Sequence, residues 1–285
     1  MRLVIIGFGY SSRAVHDALL GTIGQGIDGQ AKVTVRTQEK VDLLKAHGID
    51  ALLFDGTQPS SLLTSALATA THILMSAAPD EDGDPFLRHH ALSEAPWLQW
   101  AGYLSTIGVY GDHDGDWVDE TTKAKPRSER SRHRVVAEQA WQTACAEHGT
   151  RAAIMRLSGI YGPGRSPIDR VKAGTARSII KPGQVFNRIH QADIARVVAG
   201  AAKYKVAGIL NVTDDEPAPP QDVIRYAARL AGVEAPDGVP FDKADMTPMA
   251  RSFYSENKRA SNAKIKAAFG PMLFPTYREG LASLV

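Results

Sequence analysis

One cysteine in 285 residues, Cys145, excludes an intrachain disulfide framework and fits a reducing compartment. Long apolar runs are missing as well: none approaches the roughly 18 uninterrupted residues that a membrane helix needs. The apolar run before Gly7 is only four residues long, too short for a secretory signal, so a cytoplasmic chain is expected. Charge of one sign is lacking, since 33 Lys and Arg nearly balance 31 Asp and Glu. A net charge of +2 therefore offers no footprint for nucleic acid or a membrane surface, and neither is an expected partner. His89 and His90 have no acidic or cysteine partner at ligand spacing, so no metal is expected. Repeats and low-complexity tracts are absent too.

What is present is the composition of an ordinary globular protein, 44% hydrophobic and 22% charged, long enough to bury an ample core. Leu3 to Ile6 reads as a buried strand and Arg13 to Leu20 as a helix. The alternation then repeats: strand Ala31–Arg36, a helix ended by Gly48, strand "DALLFDG", helix "SSLLTSALATA" and strand "THILMSAAP". Further on come strand "WAGYLSTIGVYG", a helix from Ser131 to His148 and strand "RAAIMRLSGIYG". Strands alternating with helices imply right-handed βαβ crossovers. The expected fold is α/β, a Rossmann-type doubly wound parallel sheet with a smaller, mostly helical C-terminal lobe. The dinucleotide domain is expected over residues 1–162, its sheet completed by about 190–214, with 163–189 and 215–285 forming the lobe. Cys145 is expected as a buried helix residue rather than a reactive thiol.

Gly7 and Gly9 stand at the strand-to-helix junction where a G-x-G-x-x-G turn holds a pyrophosphate, and Ser12 replaces the third glycine. A serine there is small enough for helix–strand packing, and could cap the helix or donate to phosphate. The backbone of Tyr10 and Ser11 completes the turn. At the end of the second strand, Arg36 and Thr37 stand where NAD-binding chains place a carboxylate for the ribose 2′-hydroxyl. A guanidinium there suits a 2′-phosphate, and Arg13 is placed to assist, so NADP is expected ahead of NAD.

The stretches "IIGFGYSSRA", "FDG", "YLSTIGVYG", "RLSGIYGPGR", "RIHQADIARVV" and "ILNVTDDEPA" occur in an order that resembles the extended short-chain dehydrogenase/reductase superfamily, in its NAD-dependent epimerase/dehydratase branch. The terminal "NKRASNAKIKAAFGPMLFPTYREGL" resembles that family's closing helices. The resemblance implies that Asp55, followed by Gly56, contacts adenine, and that Ala77, Ala78 and Pro79 lie along the nicotinamide ribose. It also implies that Thr106 orients a substrate oxygen, that Tyr110 and Tyr161 stand on the substrate side, and that His190 and Asp193 are structural.

One departure from the family pattern bears directly on chemistry. Family enzymes carry Tyr-x-x-x-Lys at the start of the helix before "AEQAW", the tyrosine acting as general acid/base and the lysine lowering its pKa. Counting back from Glu138, these positions are Arg130 and Arg134. Arginine stays protonated in proteins and does not relay a proton as a phenol does. His133, Tyr110 and Tyr161 are the remaining titratable candidates, although packing is the commoner use of such residues. The basic residues Arg165, Arg170, Lys172, Arg177, Lys181 and Arg188 would receive an anionic substrate if they face a cleft, or form a solvated loop if they do not. Two readings follow. One is an atypical NADP-dependent oxidoreductase or epimerase acting on a small-molecule substrate. The other is a dinucleotide-binding sensor that has lost catalysis and answers to a redox-state-dependent protein partner.

Overall fold

Leu3, Val4, Ile5 and Ile6 are each no more than 2% exposed, so the first strand is covered on both faces, as a continuous apolar run in a parallel sheet requires. A computed structural model describes residues 1–23 and 29–285 of the chain. The first half runs β1 (Arg2–Ile6), α1 (Tyr10–Ile23), β2 (Gln30–Val35), α2 (Gln38–Ala46), β3 (Asp50–Leu53), α3 (Ser61–Leu67), β4 (His72–Met75), β5 (Trp100–Thr106), β6 (Trp117–Val118) and α4 (Glu129–His148). It continues with β7 (Arg151–Leu157), β8 (Gly159–Tyr161), α5 (Pro167–Lys172), β9 (Ser178–Ile180), β10 (Arg188–His190), α6 (Gln191–Tyr204) and β11 (Gly208–Val212). Last come α7 (Pro220–Ala231), β12 (Gly238–Pro240), α8 (Pro248–Phe253), β13 (Arg259–Ala260), α9 (Ala263–Phe269) and α10 (Tyr277–Ala282).

Seven strands form one parallel sheet in the order β11-β7-β5-β4-β1-β2-β3, the expected doubly wound arrangement. The order reverses at β1, which pairs with β2 on one side and β4 on the other. Crevices for dinucleotides open at such a switch point, beyond the carboxyl ends of the strands.

The chain divides into two compact units. The first comprises residues 1–106, 129–156 and 194–210. Its main core joins Val4 and Ile6 of β1, Leu63 and Leu67 of α3, Ile73 and Met75 of β4, and Ala137, Trp141 and Cys145 of α4. The last three are spaced by four residues, so they form one stripe of the helix. Cys145 is 1% exposed and burial pushes its thiol up to about 12, which makes it an inert core residue.

The second unit comprises residues 107–128, 157–193 and 211–285, so the 107–128 segment groups with the C-terminal part of the chain. Its core packs Ile168 and Val171 of α5 with Val223, Ile224, Ala227 and Ala228 of α7 and Tyr277 and Leu281 of α10. Three two-stranded pairs, β8–β10, β9–β12 and β6–β13, accompany the helices. The lobe thus holds more strand than its sequence suggested. Pieces of two or three residues are too short to show the period-2 alternation by which a strand is recognised.

Among the described residues, no helix is long and apolar enough to cross a membrane, and no group of three or more His, Cys, Asp or Glu could hold a metal ion.

Candidate cofactor site

The turn between β1 and α1 is held by its own side chains. Gly7 N–H donates to Thr34 Oγ1 of β2 at 2.9 Å, which ties the turn to the neighbouring strand. The Ser12 hydroxyl donates to the Gly7 carbonyl at 2.9 Å and accepts the Gly9 N–H at 2.8 Å. Ser12 lies inside α1 and is fully buried. Of the two roles the sequence allowed it, capping the helix or donating to phosphate, its hydroxyl takes the first and closes the turn. The contact resembles half of a capping box, with the third helical residue reaching back to the N-cap backbone. Thr34 was not among the expected residues. A threonine within a β-branched strand looks like ordinary strand composition, and only the pairing of β1 with β2 gives it a partner.

Gly7 has φ +86°, and a Cβ there would lie 2.7 Å from the backbone nitrogen of Ala77. Gly9 is the opposite case: it is exposed, and a Cβ built on it would meet nothing within 4 Å. One glycine lets the turn pack on the end of β4, and the other leaves an open side beside the start of α1, where Tyr10 and Ser11 are half-buried. An open face next to a helix N-terminus fits a pyrophosphate, because the helix dipole there favours negative charge. The residues present therefore fit a dinucleotide.

The flanking positions sit at the ends of the neighbouring strands. Arg36 is exposed, immediately after β2. Thr37 is the N-cap of α2 and its side chain accepts from Lys40 N–H at 3.4 Å. Arg13 stands over the Phe8 ring, 5.9 Å from its centre. Asp55 follows β3, exposed, with its Oδ1 accepting the Thr57 N–H and hydroxyl at 2.9 and 2.7 Å. Those hydrogen bonds hold its carboxyl below the usual range. Gly56, at φ +84°, is packed against Pro85. Ala77, Ala78 and Pro79 continue from β4 in an irregular, partly exposed segment.

The positions carried over for proton transfer are arranged differently. Arg130 is exposed in the first turn of α4. Arg134 turns inward to β5, where its NH1 donates to the Leu104 carbonyl at 2.6 Å and to the Tyr103 hydroxyl at 3.2 Å. Its guanidinium also lies 5.6 Å from the centre of the Tyr103 ring. One turn further along α4, Glu138 receives Arg156 Nε at 3.1 Å and NH2 at 2.7 Å, both residues being 4% exposed. The Ser105 hydroxyl donates to the same carboxylate. Thr106, next to Ser105, is half-buried at the end of β5. Sequence spacing located Arg130 and Arg134, but the Ser105–Glu138–Arg156 cluster joins three distant positions and has no local signature.

In the second unit, the Tyr110 hydroxyl donates to Asn211 Oδ1 at 2.7 Å and the residue is fully buried. Tyr161 is 5% exposed, stands edge-on to His190 at 5.2 Å, and its buried hydroxyl has no hydrogen-bond partner. Burial and the nearby charges of Asp214 and Asp193 push this phenol well up, and burial pulls His190 down. Neither phenol is presented to solvent for proton transfer. Tyr161→Phe is expected to leave thermal stability unchanged or raise it by about 1 kcal/mol, because it removes a buried hydroxyl that lacks a partner. A fall of several degrees in the melting midpoint would contradict this.

Asp193 accepts the backbone N–H groups of Leu273 and Phe274 at 2.7 and 3.0 Å, a structural role. Of the expected basic cluster, Arg165, Arg170, Lys172 and Arg177 are exposed. Arg177 and Lys181 donate to the carbonyls of Asp245 and Tyr254. Arg188 donates to the carbonyls of Phe186 and Ala218 at 2.8 and 3.1 Å.

Comparison with known proteins agrees with this geometry. The NAD dependent epimerase/dehydratase family matches residues 99–207. A functionally unknown conserved protein from Silicibacter pomeroyi is 46% identical, with 99% of this chain and 97% of that one covered and a TM-score of 0.86. UDP-glucose 4-epimerase from Thermus thermophilus, solved in complex with NAD, is 20% identical over 99% of this chain and 97% of its own, with a TM-score of 0.74; at that identity the fold alone is shared. A 3-diazoavenalumate denitrifying reductase from a Streptomyces species is 27% identical over 140 residues, spanning 45% of each chain. The family match over residues 99–207 and the fold shared with the Thermus thermophilus epimerase make this chain similar to the NAD dependent epimerase/dehydratase family.

Proposed function

We propose that this protein binds NADP and uses it in an atypical oxidoreductase or epimerase reaction on a small molecule. The observation that carries this reading is the open side of Gly9 beside the start of α1, with an exposed arginine, Arg36, at the end of β2 where a carboxylate would select NAD. When bound, the nicotinamide supplies or accepts a hydride. The chain's own contribution is positional. The turn at Gly7–Ser12 would hold the pyrophosphate, Arg36 the 2′-phosphate, and the segment Ala77–Pro79 the ribose. Ser105, held by Glu138, fixes the end of β5 and so the place of Thr106. The partial likeness to a reductase supports a redox role.

A second reading has its own observation. Arg134, at the lysine position, is turned to the backbone of β5, which favours a sensor that binds the dinucleotide without turning it over. Under that reading, oxidised and reduced cofactor bind with different affinity, and a protein partner responds to the difference.

Calorimetric and fluorescence titration with NADPH, NADP and NADH tests the first claim. Arg36→Ala is expected to lower the NADPH preference over NADH by about tenfold or more, the loss of a charge-assisted contact to phosphate. An unchanged ratio overturns the NADP assignment. Steady NADPH oxidation on a panel of sugar-nucleotide and carbonyl compounds then supports the enzyme. No turnover, combined with a large oxidised-to-reduced difference in affinity, supports the sensor.

A further inference from the structure

The expected adenine contact and the expected nicotinamide-ribose contact come from two segments that are remote in sequence. Asp55 and Gly56 follow β3, while Ala77, Ala78 and Pro79 follow β4. Arg88 joins the two. Its NH1 and NH2 fork onto the two carboxylate oxygens of Asp80 at 2.9 and 3.2 Å, and NH1 lies 3.3 Å from Asp82 Oδ2. The same NH2 donates to the Gly56 carbonyl at 3.3 Å. Below this clamp, Pro85 fills the space beside Gly56 so closely that a Cβ there would come within 2.7 Å of the ring. A second stitch lies further from the turn, where Ser60 N–H donates to His90 Nε2 at 3.2 Å.

Magnitudes decide what the clamp is for. The side chains of Asp80 and Asp82 are 55% and 74% exposed. Ion pairs so exposed contribute little to stability. The buried Nε of Arg88 has no hydrogen-bond partner, a further reason to discount a stabilising role. What the fork does supply is geometry: one planar guanidinium sets the distance from the Gly56 carbonyl to the turn at Asp80, one residue beyond Pro79.

We propose that Arg88 is a positioning residue for the adenosine half of the dinucleotide, acting by holding Gly56 and Asp55 in place against the segment after β4. The proposal rests on the dinucleotide reading above. It makes Arg88 neutral toward the choice between NADP and NAD, since that choice is assigned to Arg36 at the end of a different strand.

The test is titration of the full chain with NADPH, NADH and 2′,5′-ADP, the adenosine half alone, alongside thermal melting. Arg88→Ala is expected to weaken NADPH and 2′,5′-ADP alike by about tenfold, with the NADPH:NADH ratio unchanged and the melting midpoint moved by no more than about 3 °C. Arg88→Lys recovers part of the loss, because an ammonium keeps the charge but not the fork. Asp80→Asn, a change at an exposed side chain that leaves folding intact, reproduces part of the effect. The Arg88→Ala/Asp80→Asn double variant is no worse than Arg88→Ala alone. Wild-type binding with Arg88→Ala affinities within twofold overturns the proposal. So does a loss for NADPH that 2′,5′-ADP does not share. Failure of the wild type to bind any of the three overturns the dinucleotide reading itself, and this proposal with it.

Discussion

Glu138→Ala is expected to lower the unfolding free energy by about 3–5 kcal/mol, because it leaves the Arg156 guanidinium buried without its carboxylate. Both residues are 4% exposed, and the carboxylate receives Nε and NH2 of Arg156 together with the Ser105 hydroxyl. For a chain of this length a loss of that size moves the melting midpoint by about 10 °C. Glu138→Gln keeps the volume but not the charge, and is expected to be nearly as damaging. Replacing both partners, Glu138→Met with Arg156→Met, is expected to recover most of the loss, since a buried pair compares poorly with apolar packing of similar volume. Urea and thermal denaturation of the four proteins check this. A melting midpoint for Glu138→Ala within about 2 °C of wild type would show that the pair is hydrated rather than buried.

Gly7→Ala and Gly9→Ala are expected to separate folding from cofactor binding. At Gly7, a side chain meets both a left-handed φ of +86° and a Cβ contact of 2.7 Å to the Ala77 backbone nitrogen. Left-handed backbone costs about 1–2 kcal/mol, and forcing extra volume into a packed position about 1–3 kcal/mol. Gly7→Ala therefore loses about 2–5 kcal/mol of stability, and dinucleotide affinity falls with it as the turn shifts off β4. At Gly9 the added methyl meets no protein atom within 4 Å. That variant should melt like the wild type yet bind NADPH at least tenfold more weakly, because the methyl occupies the side on which a pyrophosphate approaches. Melting curves and NADPH titrations of both variants are the check. Unimpaired NADPH binding by Gly9→Ala would remove the open turn from the cofactor site.

Much of the first unit was legible because its signals are local. The apolar run Leu3–Ile6, the β-branched strand around Val33 and Val35, and the Ala137, Trp141, Cys145 stripe each carry their own periodicity within a short window. Helix α1 starts at Tyr10 rather than at Arg13, since the turn residues themselves take up helical backbone and Ser12 closes on Gly9. The second unit was less legible. Strands β9, β10, β12 and β13 have two or three residues each and are recognisable only through their partners.

The candidate site divides along the same line. Gly7, Gly9, Arg36 and Asp55 could be located from the chain alone, because a glycine turn and the end of a strand are defined by neighbours in sequence. The same holds for the replacement of Tyr-x-x-x-Lys by Arg130 and Arg134, which is a matter of residue identity and spacing. What those side chains do was settled only by the tertiary structure. Ser12 closes the turn instead of facing phosphate, Arg134 reaches the Leu104 carbonyl, and the Tyr161 phenol is buried without a partner. The same is true of Thr34, the contact of Arg88 with Gly56 and the Ser105–Glu138–Arg156 cluster, whose partners lie 18 to 33 residues away along the chain. A hydrogen bond has its effect through distances of about 3 Å, and burial through the whole surrounding shell; neither is encoded in sequence spacing until the chain has folded.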